Sequence, residues 1–358
     1  MKILIFEYIT GGGFNKQELP DSLASEGRLM LQALLDNLHS HAEHEDESDL
    51  ELVVMLDDRV NGSINTAGFD TVIIKPEQNS HEEFARLVLH CDAVWPIAPE
   101  FDGILQTLCQ TVECLGKRLL TSPVRAVAIT GNKLNTYQYL KRHHIATVPT
   151  RTFTNATWVG DSDTQHLAQE LAQLSSVSPT CKVEQWLVKP VDGVGCADSY
   201  ILTDRQDFEQ MHSRKGQYVI QPHIQGNKTS LSCLFKHGIG WLLCANLQQF
   251  DIIKQQYHLS KIIVNHDSDP SVYQDLVDNI ANALPELWGY VGIDLIETPE
   301  QQLVLEINPR LTTSFVGINA ALGINVAENV LQLLEGKPCI KAVCNQPVTI
   351  KVKRNESD

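Results

Sequence analysis

Short apolar runs alternate with amphipathic stretches through the first third of the chain. The runs fall at 3–6, 52–56, 72–74, 93–95 and 118–120, and helical spacing of apolar residues fills 22–38, 80–90 and 102–115. That alternation predicts a parallel sheet with covering helices. The segment 39–49 interrupts it with a polar, His-rich and acidic stretch, which reads as a solvated loop with a metal site as the alternative. From 123 to 149 the pattern is helical. Leu134, Tyr137, Gln138 and 140–144 are spaced for one helix ahead of Ile145-Ala146-Thr147-Val148-Pro149, where the proline marks a turn. Beyond about residue 180 strands dominate, at 185–190, 198–202, 217–221, 229–236, 240–250, 258–264, 289–297 and 302–307. Helices are expected near 163–175, 204–213, 270–284 and 313–334, so this half is α+β where the first is α/β.

Composition narrows the classes. At 358 residues the chain exceeds one ordinary core, and two or three packed subdomains are expected. Apolar residues make up 43% and charged residues 20%, a globular balance, and no apolar run approaches the roughly 20 residues of a spanning helix. The opening strand is too short, and too soon followed by glycines, for a secretory segment, so the expected compartment is the cytoplasm. Nine cysteines lack any Cys-x-x-Cys pair and read as reduced thiols. A net charge of −16 opposes a nucleic-acid or anionic-membrane surface but leaves room for a small anionic ligand in a locally cationic cleft. A homodimer is the default for a soluble enzyme.

The most informative segment is Gly289-Tyr290-Val291-Gly292-Ile293-Asp294-Leu295-Ile296, a turn near Pro299, and then Leu303-Val304-Leu305-Glu306-Ile307-Asn308-Pro309-Arg310. Opposed residues of an antiparallel pair share a face, so the apolar residues demand 293 opposite 307 and 295 opposite 305. Asp294 then faces Glu306, with Asn308 two residues on along the same face. Facing carboxylates repel unless a cation lies between them, and hard oxygen ligands of this kind suit magnesium. The alternative is an ordinary solvated sheet face. Arg310, a fixed cation immediately after the ligand set, favours the metal-and-anion reading.

Two lysines and two glycine clusters add candidates. Lys189 ends the apolar strand Leu187-Val188-Lys189-Pro190, where it must find an anion or stay in water. Val191-Asp192-Gly193-Val194-Gly195-Cys196-Ala197 follows, a connection whose backbone N–H groups can approach phosphate, although such hairpins are commonly just turns. Lys133 stands at a helix start that Asn132 can cap; alone it reads as a surface lysine. Gly11-Gly12-Gly13 lacks the third glycine of a dinucleotide fingerprint, and no Walker-type Gly-Lys-Ser/Thr occurs. This glycine turn remains a candidate for holding a substrate carboxylate or phosphate.

The order of these parts resembles the ATP-grasp superfamily: a Rossmann-like first domain, a lysine at a helix start, a lysine ending a strand, a glycine loop, a hinge, and Asp followed by Glu-x-Asn. The resemblance covers about residues 1 to 335. Within it, Phe6-Glu7-Tyr8-Ile9-Thr10-Gly11-Gly12-Gly13, Ala98-Pro99-Glu100 and Glu306-Ile307-Asn308-Pro309-Arg310-Leu311-Thr312-Thr313-Ser314 look most like tyramine-glutamate ligases of methanofuran-type cofactor biosynthesis. The resemblance implies a Rossmann-like pre-ATP-grasp domain at 1–121 and a two-lobed ATP-grasp domain. Its central lobe with phosphate lid would span 122–222, its metal-bearing C-terminal lobe 223–338, and an extension 339–358. Lys133 and Lys189 would contact ATP phosphates, and Asp192, Gly193, Val194 and Gly195, with Cys196, would form the lid. Gln221, Pro222, His223 and Ile224 would line the adenine. Asp294, Glu306 and Asn308 would bind Mg2+, with Mn2+ as a substitute. Arg310 would hold an acyl-phosphate, with Thr312, Thr313 and Ser314 near the substrate carboxylate. Lys228 departs from the family pattern, standing where an acidic residue usually meets ribose. Lys261 is a further candidate for the γ-phosphate.

The expected reaction is ATP-dependent joining of a small carboxylate substrate, glutamate first among candidates, to an amine, tyramine first, through an acyl-phosphate. Competing readings are a ligase for another amino-acid or peptide pair, a hydroxyl kinase, and a nucleotide-binding regulator without turnover.

Overall fold

The structure, a computed structural model, describes residues 1–44, 50–154, 166, 169, 185–193, 198–211 and 213–352, with 41–44 described by backbone alone. Strands β1 (Lys2–Glu7), β2 (Glu51–Asp57), β3 (Asp70–Ile74), β4 (Ala93–Ile97) and β5 (Arg118–Leu119) form one sheet in the order β3-β2-β1-β4-β5. Every pairing in it is parallel. Helix α1 (Asp21–His44) covers one face and α2 (Ser80–Leu89) and α3 (Ile104–Cys114) the other. The alternation of side chains along a strand explains why β1 is apolar throughout. Ile3 and Ile5 pack with Leu31, Leu34, Leu35 and Leu38 of α1, while Leu4 and Phe6 pack with Phe84, Leu87 and Leu108. The α1 residues recur at the spacing of one helical face.

Helices α4 (Val124–Thr130) and α5 (Lys133–Arg142) follow, separated at Gly131 and Asn132. Asn132 accepts a hydrogen bond from Asn135 N at 3.0 Å and so caps α5. The remaining strands are β6 (Arg151–Phe153), β7 (Trp186–Pro190), β8 (Tyr200–Leu202), β9 (Tyr218–Pro222), β10 (Asn227–Lys236), β11 (Ile239–Ile253), β12 (Gln256–Val264), β13 (Gly289–Glu297), β14 (Gln302–Asn308) and β15 (Val348–Lys351). They form a ten-stranded sheet, β14-β13-β10-β11-β12-β8-β7-β9-β6, with β15 added beside β12. A single paired rung, Gln256 with Tyr200, joins β12 to β8. Each side of that rung has its own core. Trp186, Val188, Tyr200, Leu202, Phe208, Met211 and Ile220 cluster on the smaller side, with Phe208 and Met211 supplied by α6 (Arg205–Met211). On the larger side, Leu231, Cys233, Val291, Ile293 and Ile307 pack with Val277 and Ile280 of α7 (Gln274–Ala283), and Ala126, Leu140 and Ile145 join them. Part of the stretch expected as a central lobe, 122–222, therefore packs with the larger side.

Several expectations change. The first helix is longer than 22–38 and carries on to His44, so the polar segment at 39–49 begins as helix; 45–49 lie outside the described residues. The expected helix 313–334 is three pieces: a short 3-10 turn at Thr313–Gly317, α8 (Ile318–Leu322) and α9 (Val326–Glu335). Gly323, left-handed at φ 66°, ends α8, and Asn325 caps α9 by accepting from Glu328 N at 3.0 Å. Strands β6 and β15 had no visible pattern, because each is only three or four residues long and half-buried. The helix expected near 163–175 falls mostly outside the described residues. The tail is part of the fold, since Ile340, Val348 and Ile350 pack against the core shared by α1 and α9.

The first sheet and the larger side of the second share that core. Asn37 of α1 makes the polar part of the joint: its Oδ1 accepts from Val326 N at 3.1 Å and its carbonyl from Asn325 Nδ2 at 2.8 Å. Replacing Asn37 with Ala leaves the buried Val326 amide unsatisfied. The expected loss of stability is about 1–3 kcal/mol, read as a lower urea midpoint with an unchanged slope.

Candidate active site

In an open sheet with a strand order of this kind, ligands gather beyond the carboxyl ends of the strands where the order reverses. Glu7, the last residue of β1, and Ala98, Pro99 and Glu100, which follow β4, lie at that reversal. Glu7, Ala98 and Pro99 line a cavity whose other walls come from both sides of the second sheet, and Glu100 pairs with Arg310, another lining residue. It encloses about 1560 Å3, open solvent at its mouth included.

The β13–β14 hairpin supplies the cavity's acidic centre. Ile293 pairs with Ile307 and Asp294 with Glu306, as the apolar pattern requires, but the register then shifts so that Leu295 faces Val304 and not Leu305. The extra residue lets Leu305 join Glu306 and Asn308 in lining the cavity, while Val304 and Ile307 stay in the core. A bulge beside a site re-aims side chains in this way. Gln248 Nε2 donates to Asp294 Oδ1 at 3.1 Å and Asn308 Nδ2 to Oδ2 at 3.2 Å.

Burial, and then the facing Glu306 carboxylate, push the Asp294 pKa up to about 8. Burial pushes Glu306 upward as well, yet Lys133, Lys189 and a hydrogen bond from Asp294 outweigh it and hold Glu306 below its ordinary value. The two carboxylates thus resist carrying both negative charges without a counter-charge. A divalent cation supplies that counter-charge, so the donor set fits one. Two carboxylates and an amide oxygen suit magnesium, which takes its remaining ligands from water and phosphates. Among the described residues no three His, Cys, Asp or Glu side chains converge on a point.

Both lysines flank this centre. Lys133 Nζ lies 3.4 Å from Glu306 Oε2 and donates to Gly193 O, while its amide donates to Val191 O at 2.8 Å. Lys189 is 7% exposed and lines the cavity, so a residue that reads from sequence as a strand-end lysine is desolvated beside carboxylates. Asp192 accepts from Asp102 N at 3.0 Å and Gly193 lines the cavity, whereas Val194, Gly195 and Cys196 lie outside the described residues.

Gln221, Pro222, His223 and Ile224 also line the cavity. Gln221 donates through Nε2 to Thr150 Oγ1 at 2.7 Å, and its buried Oε1 has no hydrogen-bond partner among the described residues. An orphaned acceptor of this kind fits the exocyclic amino group of adenine. His223 is held from both sides, Nδ1 by Gln185 Oε1 at 2.9 Å and Nε2 by the Tyr257 hydroxyl at 2.6 Å. Lys228 lines the same end, its Nζ 5.9 Å from the Tyr257 ring centroid. Lys261 is not among the lining residues.

Arg310 sits at the opposite end. Its Nε and Nη2 grip Glu100 at 2.8 Å each, and Nη1 donates to Leu311 O at 3.0 Å. Burial works against its charge, but Glu100, Glu306 and Glu26 outweigh that effect and raise its pKa. Three of its five N–H groups are thereby committed and two remain. Thr312, Thr313 and Ser314 line the cavity next to it. Gly11, Gly12 and Gly13 do not. A side chain would put its Cβ 2.6 Å from Phe6 at Gly11, 2.7 Å from Ile74 at Gly12 and 2.4 Å from Tyr8 at Gly13, so these glycines serve close packing, and Gly12 a left-handed turn at φ 103°. Glu26, Glu100 and Gln248 were missed as site residues in the sequence. Glu26 sits in an amphipathic helix and Gln248 in a long polar strand end, and neither carries a local signal.

Residues 130–314 match the family described as the ATP-grasp domain, and residues 50–127 match the pre ATP-grasp 3 domain. The chain belongs to the ATP-grasp family, and it is an ADP-forming ligase of that family. It is 24% identical to the tyramine–L-glutamate ligase of Methanocaldococcus jannaschii over 318 residues, covering 88% of this chain and 84% of that one. It is 23% identical to the protein of the same name from Methanocaldococcus fervens over 367 residues, covering 99% and 98%. Among solved structures it superposes on a protein assigned to the ATP-grasp superfamily from Archaeoglobus fulgidus with a TM-score of 0.67, at 22% identity and coverage of 98% and 92%. No single described helix is long and apolar enough to cross a membrane.

Changing Asp294 to Asn keeps the shape and removes one of two crowded carboxylates; the Asn oxygen accepts from one of the two amide donors, and the other bond is kept when the Asn308 amide turns over to accept. In metal-free buffer the expected melting temperature is equal to or above that of the parent, and magnesium no longer raises it. A lowered melting temperature without metal would show that the pair stabilises the fold and is not a strained binding site.

Proposed function

We propose that this enzyme uses ATP and magnesium to couple the carboxylate of glutamate to the amine of tyramine through an acyl-phosphate, as a step in building a methanofuran-type cofactor. The observation that carries the chemistry is the convergence of Asp294, Glu306 and Asn308 with Lys133, Lys189 and Arg310 in one cavity. The substrate pair rests on the two curated relatives, each of which spans most of this chain.

In this reading Gln221, Pro222, His223 and Ile224 seat the adenine, with the free Gln221 oxygen accepting from its amino group. Lys133 and Lys189 neutralise phosphate oxygens, and Asp192, Gly193, Val194 and Gly195 close over them. Asp294, Glu306 and Asn308 would hold magnesium, which would supply charge neutralisation for phosphoryl transfer. Manganese serves as a substitute. The substrate carboxylate attacks the γ-phosphorus in line, and ADP leaves. Arg310, fixed in place by Glu100, offers its two uncommitted N–H groups to the acyl-phosphate and to the oxyanion that forms when the amine adds. Thr312, Thr313 and Ser314 orient the substrate carboxylate. No protein nucleophile is needed, because positioning and charge neutralisation supply the catalysis.

Phosphate release measured with ATP, magnesium and glutamate is expected to depend on tyramine, and the product is expected to have the mass of γ-glutamyltyramide. Release with a different amino acid or amine keeps the ligase and overturns the substrates; a stable phosphate ester indicates a hydroxyl kinase, and ATP binding with no release under any pair indicates a regulator. Glu306→Gln is expected to lower phosphate release by about 10²-fold or more with the fold intact. Near-normal release by that variant would sink the metal assignment. Chelation by EDTA is expected to stop release reversibly, with activity restored by magnesium and by manganese.

A further inference from the structure

The cavity has a second end that the metal centre does not explain. Glu7 and Glu26 line it together with Arg310, and Glu100 pairs with that arginine, so three carboxylates gather about one cation. Two of the three are fully committed. Glu100 gives both oxygens to Arg310 at 2.8 Å. Glu7 accepts from Ile9 N at 3.3 Å through Oε1, and from Thr10 N and Thr10 Oγ1 at 2.7 and 2.6 Å through Oε2. Glu26 differs. Its Oε2 accepts from Thr313 Oγ1, and its Oε1 has no hydrogen-bond partner among the described residues although burial raises the pKa of the group. A carboxylate oxygen open to a cavity, with no donor from the protein, suits a cationic or hydrogen-bonding ligand.

The surroundings define the rest of that ligand. Leu23, Glu26 and Met30 share one face of α1, and Ile9, Ile97 and Pro99 line the cavity as well. One free carboxylate oxygen beside these apolar side chains fits an ammonium carried on an apolar body.

Resting on the ligase reading above, we propose that this end of the cavity receives the amine substrate as its ammonium ion, and that Glu26 binds the ammonium and takes its proton. Leu23, Met30 and Ile97 pack against the apolar part of the amine. An ammonium has no lone pair, so attack requires that a proton leave first. Glu26 accepts that proton and becomes a neutral acid. The freed nitrogen pair forms the C–N bond at the acyl-phosphate carbonyl. As the C–O bond to phosphate breaks, the second nitrogen proton leaves with hydrogenphosphate, giving the amide. Glu26 then returns its proton to solvent. A carboxyl whose pKa is raised by burial suits this duty near neutral pH.

The test separates the two half-reactions in the full-length enzyme. Hydroxylamine, uncharged at neutral pH, traps the acyl-phosphate as a hydroxamate without needing an ammonium site. Glu26→Gln is expected to raise the KM for tyramine and lower kcat for amide formation, together about 10²-fold or more, while hydroxamate formation stays within about twofold of the parent. Should Glu26→Gln not fold, Glu26→Asp serves, with a raised KM for tyramine and parental hydroxamate formation expected. Amide formation at parental efficiency in the folded variant overturns the proposal, as does equal loss of amide and hydroxamate. Failure of the parent to form hydroxamate from ATP and glutamate, or from any other carboxylate offered, instead overturns the ligase reading on which the proposal rests.

Discussion

The facing carboxylates of Asp294 and Glu306 are the constraint around which the larger lobe is arranged. Two such groups one strand apart in a buried cavity cannot both ionise freely, and the fold answers with Lys133 and Lys189 on one side and Gln248 and Asn308 on the other. Each partner comes from a different element. The cap at Asn132 aims Lys133, the end of β7 aims Lys189, and β11 brings Gln248 across the sheet. The β13–β14 bulge then keeps Ile307 in the core while Leu305, Glu306 and Asn308 line the cavity. Arrangement around an unsatisfied charge pair is a cost in the ligand-free protein, and it makes the site complete only when a metal and phosphates arrive.

Arg310 shows the same logic at the other end. A buried guanidinium paired to Glu100 in two-point geometry is weak evidence for stability, since hydrophobic replacements of such pairs are often neutral or better. It is stronger evidence for placement. Glu100 follows β4 of the parallel sheet and Arg310 follows β14 of the antiparallel one, so this contact fixes the first domain against the catalytic lobe at the point where substrates must meet. The Asn37 joint and the apolar core shared by α1 and α9 hold the same interface from behind.

Much of this was legible in the chain. The continuous apolar runs of β1, β2 and β4 announced a sheet buried on both faces, and the alternation through 291–295 and 303–307 was enough to place Asp294 opposite Glu306. It did not reveal the register shift, because Leu303, Val304 and Leu305 are all apolar and a bulge leaves no mark in such a run. The helix expected at 313–334 is broken because Gly323 and Asn325 stop and restart it, signals that the surrounding apolar periodicity masks. The glycines at 11–13 looked like an anion turn, whereas their neighbours Phe6, Tyr8 and Ile74 come too close for any side chain. Glu26 and Gln248 were invisible for a more general reason, since their significance lies in what they face across the cavity and not in any local spacing.

The single rung between Gln256 and Tyr200 gives the molecule its mechanical character. On either side of it stands a sheet with its own apolar core, so among the described residues no buried apolar cluster spans the joint. On the cleft side the smaller lobe is tied by Lys133, through its amide to Val191 and its ammonium to Gly193, by Asp102 N donating to Asp192, and by His223 against the Tyr257 hydroxyl. A neutral amide bond is worth about 0.5–1.5 kcal/mol and one from a charged ammonium about 1.5–3 kcal/mol, small beside the cost of opening a core. On the proposed reading, the lysine that would meet phosphate is also one of the groups that tie the two lobes together, so one side chain answers both to the ligand and to the cover above it.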